Sequence, residues 1–487
     1  MTPHQHRDDQ RPADPALGEL RSGLRLGSAP SDDDIAREEA RLRDLDARPP
    51  LRRFLGYMAL GGPGYLQSAM TLGGGTAASA LFAGAVFGYR LLWLAPVAML
   101  LGVVMLAAVS WQTLSTGERP YLAMRTHASK GLALAWALGA LFASIIWHFP
   151  QYSLASASLA DLVDLAAGRA DEATEPWPLA FPLLVVSVLT SLAYAHSRRA
   201  LRLYERLLRV TVWLIVLCFA SVVVLERARI DFAAVLRGFF SFEIPGTHVA
   251  RDGSRIEGWE LVLSGLSAAV GVNMVFLYPY SLLARGWGRA HRRLAIHDLL
   301  FGMLLPYVLA TSLMIIATAT TLHENAFEVG KSLAPLDAAK ALEGIAGRSF
   351  ARVALDLGFI GMALSSITLH MVCSGFACSE LFGWRLGSKR HLLATLLPTP
   401  GVFGPLLWKD MGVYLAVPAN VICMLFLPAA YIGFTILQAK KRYLGGDRPT
   451  GMLARLWLGA MVVISVVLLV LCCTYIARHF PSWWARL

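Results

Sequence analysis

The polar residues of this chain that could do chemistry are few and sit inside apolar runs. Gly73-Gly74-Gly75-Thr76 interrupts one run, and Gly271-Val272-Asn273-Met274 interrupts another. Glycine in a helix interior costs about 1 kcal/mol relative to alanine, so both stretches favour a break. At membrane depth, unwound backbone is tolerated where it lines a cavity or is buried in protein. Freed carbonyls and N–H groups there, with Thr76, Asn273, Met274 and Asn420, would hold a small solute by neutral donors. Close helix packing, which glycine also serves, is the competing explanation. No P-loop, Gly-x-Ser-x-Gly or His-Glu-x-x-His pattern occurs. The chain therefore reads as a non-enzyme with no cofactor and no nucleotide partner.

The elements that must position these residues are membrane helices. Of the 487 residues, 56% are hydrophobic and 16% charged; soluble domains run near 45–50% and about 25%. That imbalance excludes disorder, coiled coil and nucleic-acid binding as main roles and makes the bilayer the first partner. Apolar stretches long enough to span number eleven, near 55–82, 87–112, 130–165, 177–196, 203–226, 258–284, 297–323, 351–383, 389–408, 412–437 and 455–477. The two broken ones, the first and sixth, are five apart, as in a five-plus-five inverted repeat with a midplane site. Basic residues recur in alternate loops (Arg119, Arg125 and Lys130; Arg198 to Arg209; Arg285 to Arg293; Arg385 to Arg390; Lys440 to Arg448). The positive-inside rule then puts the N-terminus in the cytoplasm and the C-terminus outside, which also absorbs the net charge of +11. Residues 1–50, rich in Pro, Asp, Arg and Glu and without an apolar signal-like core, read as a disordered tail ahead of a transporter domain at 51–487. Within that tail, residues 31–48 have the makings of a short charged helix. All six cysteines lie in apolar runs at no zinc-like spacing and read as packing residues.

From Gly62 to Trp93 the sequence reads Gly62-Pro63, the triple glycine, Ala83-Gly84-Ala85, Gly88-Tyr89 and Leu91-Leu92-Trp93. This resembles, without a gap, the first helix and following turn of the Nramp (natural resistance-associated macrophage protein) family of metal transporters. Weaker similarities follow in order, at Arg202 and Glu205, Arg237-Gly238-Phe239, Asp298, Leu364-Ser365-Ser366, Asn420 and Pro428. The resemblance implies an all-α protein of the leucine-transporter type, with eleven spans and the first and sixth unwound around a central site. It also implies an inner-membrane secondary transporter working by alternating access. Arg202, Glu205 and Asp298 fall where ion pairs of an inner gate are expected. His148 falls beside the third-helix position where the family has acids, and is the candidate proton relay.

The departures from the family pattern shape the functional expectation. The Asp-Pro-Gly-Asn metal motif is replaced by Gly73, Gly74, Gly75 and Thr76, and the family's Met and His in helix 6 by Val272 and Met274. With no anion to offset it, a bare dication would be costly to desolvate, so no metal ligand is assigned. The main expectation is an organic cation or zwitterion, with aromatic faces from Trp147, Phe149, Tyr152, Tyr278 and Tyr280 contributing about 0.5–2 kcal/mol per cation–π contact. Its site would comprise Gly73, Gly74, Gly75, Thr76, Phe149, Tyr152, Val272, Asn273, Met274 and Asn420. Two alternatives stand beside it: a divalent cation kept largely hydrated, as Mg²⁺ is, and a non-transporting sensor or partner-binding protein.

Overall fold

The structure is a computed structural model. It describes residues 32–169, 174–194, 206, 210, 213, 214, 216, 217, 219–221, 223–250, 253–323, 348–407 and 412–484. Arg202 and Glu205 lie outside the described residues.

Helix α1 (Asp32–Asp46) and helix α2 (Pro50–Leu60) precede the apolar bundle. The expected span at 55–82 resolves into three pieces. Helix α2 ends at Gly61, helix α3 covers Pro63–Thr71, and helix α4 covers Gly74–Phe87. The axis bends by 53° between α3 and the run that α4 begins. Helices α5 (Leu94–Thr116), α6 (Lys130–Ala166) and α7 (Pro176–Tyr194) follow. A short antiparallel pair, β1 (Thr247–Val249) and β2 (Arg255–Glu257), leads into the second break. Helix α8 (Gly258–Ala269) stops at Val270, and helix α9 (Val272–Ala284) restarts after Gly271. Then come α10 (Arg292–Leu299), a π-helical turn at Leu300–Leu304, α11 (Leu305–Thr318), α12 (Arg348–Phe382) and α13 (Lys389–Ala394). Helices α14 (Ala416–Met424), α15 (Leu427–Ala439) and α16 (Met452–Trp484) complete the bundle.

Among the described residues, seven helical runs are long and apolar enough to cross a bilayer, and the bent α3–α4 pair makes an eighth. Helix α7 contributes a shorter apolar run, Pro176–Leu192. The stretch expected to span at 389–408 is instead the six-residue α13 and a 3-10 helix at Thr399–Leu407. Pro398, Pro400 and Pro405, with Gly401 and Gly404, deny it the donors and stiffness of a long α-helix. The 203–226 span is described only in part.

Helix α6 runs along α12 and against the 3-10 segment. Ala133, Ala137, Ala140, Ala143 and Ser144 are buried along it. Small residues let membrane helices approach closely, where packing rather than hydrophobicity must hold them. This brings one face of α6 beside both breaks.

The candidate central site at two helix breaks

Each break is a pair of backbone residues drawn out of helical geometry. Leu72 (φ −77°, ψ 53°) and Gly73 (φ −98°, ψ −177°) separate α3 from α4. Val270 (φ −142°, ψ 97°) and Gly271 (φ −80°, ψ 163°) separate α8 from α9. Two glycines are needed for close approach. A Cβ on Gly73 would collide with Ser366 Oγ, and one on Gly271 with the indole of Trp147.

Helix ends leave carbonyls and N–H groups without partners, and here neighbouring helices supply some. From α12, Ser365 donates to the Ala69 carbonyl (3.0 Å) and Ser366 to that of Met70 (3.3 Å). The Gly74 N–H donates to Gln151 Oε1 on α6 (3.0 Å). Thr76 donates back to the Thr71 carbonyl (2.5 Å). Asn420 on α14 is the hub: Trp147 Nε1 donates to its Oδ1 (2.6 Å), and its Nδ2 donates to the Gly75 carbonyl (3.3 Å) and Ser264 Oγ (3.0 Å). Thr71 Oγ1 donates to the thioether of Met274 (3.3 Å), which joins the two breaks directly.

Between the breaks lies a cavity of about 20 Å³, room for one water or one ion. Of the residues expected at the site, Gly73, Gly75, Thr76, Asn273, Met274 and Asn420 line it. Gly74 faces Gln151 instead, and Val272 is buried behind the wall. Phe149 and Tyr152 are not brought to the cavity; Tyr152 packs with Ala155, Leu183 and Ile367 in a separate apolar cluster. Tyr280 is held by Glu380 (2.7 Å), away from the breaks. Further lining comes from Met70, Thr71, Trp147, Gln151 and His370. Two signals for them were in the sequence: Met70 and Thr71 directly precede the first break, and Gln151 follows Trp147 by one helical turn.

Every lining residue is neutral or an imidazole. Among the described residues there is no cluster of three or more His, Cys, Asp or Glu side chains. The donors are the thioethers of Met70 and Met274, the His370 imidazole, the amides of Gln151, Asn273 and Asn420, hydroxyls and backbone carbonyls. Asn273 Nδ2 and His370 Nδ1 are buried without hydrogen-bond partners. Thioether and imidazole suit transition metals, and carbonyl oxygens suit harder ions. His148 lies one step back: its Nδ1 donates to the Ser144 carbonyl (2.7 Å), and its ring centroid is 5.4 Å from that of His370.

At the end carrying the basic loops, Asp298 on α10 accepts from the N–H groups of Gly62 (3.0 Å) and Gly64 (2.6 Å). A carboxylate at a helix N-terminus is well placed for both hydrogen bonding and the helix dipole. Helix α1 adds a second tie. Glu38 accepts from Trp287 Nε1 (2.9 Å), Asp46 accepts from Tyr57 OH (2.5 Å), and Leu42 is buried. At the opposite end, Arg352 pairs with Asp161 through two nitrogens, and Asp356 is buried.

Against known proteins, the sequence model described as "Natural resistance-associated macrophage protein-like" matches residues 64–474. The chain belongs to the Nramp-like family. Curated relatives include the divalent metal cation transporter MntH of Brucella suis biovar 1 (strain 1330), 24% identical over 429 residues, or 86% of this chain and 87% of that protein. The MntH of Agrobacterium fabrum is 24% identical over 433 residues, covering 86% and 88%. Among solved structures, the Eremococcus coleocola manganese transporter superposes with a TM-score of 0.66 at 15% identity, covering 89% of this chain and 90% of that one. MhsT in complex with L-phenylalanine gives 0.58 at 13% identity, covering 84% and 97%. The fold of this Nramp-like chain is thus of the leucine-transporter type, in a multi-pass membrane protein.

Two observations overturn the expectation of an organic cation or zwitterion. The relatives are named as divalent metal cation transporters, and the cavity has space for a single ion without an aromatic cage around it. The same names displace the reading as a non-transporting sensor. Sequence reasoning gave too much weight to the missing aspartate and too little to the donors that remain.

Proposed function

We propose that the protein is a secondary transporter of a divalent metal cation, bound at the two helix breaks by neutral donors. The observation that carries this reading is the single-ion cavity, walled by Met274, Thr76, Asn273, Asn420 and the carbonyls around Gly73 and Gly75. The relatives' names support it independently. Mn²⁺ is the natural probe, because the carbonyl and amide oxygens of the cavity suit it and its binding is read directly by paramagnetic resonance.

The chain lies in the cell inner membrane with its N-terminus in the cytoplasm, as its loop charges indicate. Alternating access then requires the α2–α3 arm to move away from α10 at the cytoplasmic end. Asp298 is the latch, holding the first turn of α3 while the cavity is closed on that side. Rocking of one half against the other around a fixed site is the usual motion of such repeats. His148 and His370, adjacent imidazoles beside the cavity, are the groups positioned to move a proton there.

The test is direct binding. Free aqueous Mn²⁺ gives a six-line paramagnetic resonance signal that is lost on binding. Purified protein is expected to titrate out one Mn²⁺ per chain, and Gly73→Ala to abolish this by filling the space before Ser366. Folded wild-type protein that leaves the signal unchanged at millimolar Mn²⁺ would overturn the proposal.

A further inference from the structure

A second cleft, remote from the helix breaks, opens between α2 and α10 at the end that bears the basic loops. Its volume is about 450 Å³, and Arg53, Tyr57, Arg293, His297 and Leu300 are among the residues that line it. The one acid on the wall, Asp46, is engaged by the Tyr57 hydroxyl. Two guanidinium groups therefore face the cleft against a single, already bonded carboxylate. Both ring nitrogens of His297 are buried there without hydrogen-bond partners, and the ring is held by edge contacts with Phe54 and Tyr57 and a tilted contact with Phe301. A neutral imidazole carries one N–H donor and one acceptor nitrogen, so the ring has an N–H to give to a ligand oxygen.

The rim of the cleft tells what kind of molecule brings the acceptor. Leu51 and Leu55, one helical turn apart on α2, are 70% and 58% exposed, and Leu300 on the other wall is also exposed. Neighbouring apolar side chains left uncovered on a membrane protein mark a lipid-facing surface. On α2, leucines lie exposed while Arg53 lines the cleft, the arrangement a helix seated at headgroup depth would show. Arginine's planar fork matches phosphate oxygens in pairs, and basic pockets between helices at a membrane surface are recognised sites for anionic headgroups.

We propose that this cleft binds the phosphate of an anionic phospholipid, with Arg53 and Arg293 on its oxygens and Leu51, Leu55 and Leu300 along its chains. Because Arg53 is on α2 and Arg293 on α10, a bound headgroup bridges the arm to the helix that latches it. The site needs no metal in the central cavity, so it stands or falls separately from the transport reading.

The experiment uses the full chain in detergent, titrated with short-chain phosphatidylglycerol, short-chain phosphatidylcholine or inorganic phosphate, with thermal unfolding as readout. Phosphatidylglycerol is expected to raise Tm saturably, and phosphatidylcholine at equal concentration to leave it unchanged. The Arg53→Ala/Arg293→Ala variant should need at least tenfold more phosphatidylglycerol for the same shift. Arg52→Ala, which removes a neighbouring charge outside the cleft, should titrate like wild type. A cooperative unfolding transition near the wild-type Tm in the absence of lipid reports that each variant is folded. Equal titration of wild type and the double variant would overturn the site. Inorganic phosphate protecting as well as phosphatidylglycerol would overturn the lipid as its occupant.

Discussion

At the residue scale, Met274 and Asn420 separate two jobs that a central-site residue can have. Met274 offers its thioether to both the Thr71 hydroxyl and the cavity. Leucine in its place keeps the volume, and swaps of that kind usually cost under about 1.5 kcal/mol. Met274→Leu is therefore expected to weaken Mn²⁺ binding about tenfold while leaving Tm nearly unchanged, read by resonance titration and thermal unfolding. Asn420 instead holds the walls together. Asn420→Ala strips the acceptor from the buried Trp147 indole, and an orphaned buried donor costs about 1–3 kcal/mol. That variant should lose both Tm and binding. Met274 was marked by its place beside the Gly271 break, and Asn420 by the family resemblance. Sequence alone did not mark His370, which reads as a core histidine until the fold brings α12 against the first break.

The elements were legible to different degrees, for physical reasons. Long apolar runs such as α5 and α6 announce themselves, because a bilayer demands length and hydrophobicity together. The first break was legible as a glycine cluster and the second as Gly271 followed by Asn273 within an apolar run. What periodicity could not show was that 389–408, apolar enough to span, is too rich in proline for a long helix. Nor could it show that the charged helix α1 docks through Glu38, Leu42 and Asp46. The proposed latch belongs to this scale. Asp298→Asn keeps the shape of the side chain but removes the charge facing the N-terminus of α3, an interaction typically worth 0.3–1 kcal/mol and up to about 2 when partly buried. Amide exchange in α2 and α3 should accelerate by between two- and thirtyfold, with α14 and α15 unchanged. No change in exchange would remove Asp298 from the gate.

For the whole molecule, the charge of the cavity decides how transport responds to voltage. With no carboxylate on its walls, the site gains two positive charges when a divalent ion enters. Each elementary charge moved across the membrane is worth about 2.3 kcal/mol per 100 mV, so the loaded carrier is strongly favoured toward a negative interior. Uptake into vesicles should steepen as an inside-negative potential is imposed with a potassium gradient and ionophore. An ion taken up at the same rate with and without the potential would mean that an unseen anion accompanies it.

The most direct measurement of the central claim is Mn²⁺ uptake by proteoliposomes with an entrapped metal-sensitive dye, under an inside-negative potential. Saturable uptake is predicted for wild type, with a raised KM for Met274→Leu and no uptake for Gly73→Ala. Absence of uptake by folded wild-type protein, or uptake that both variants leave untouched, would contradict the account.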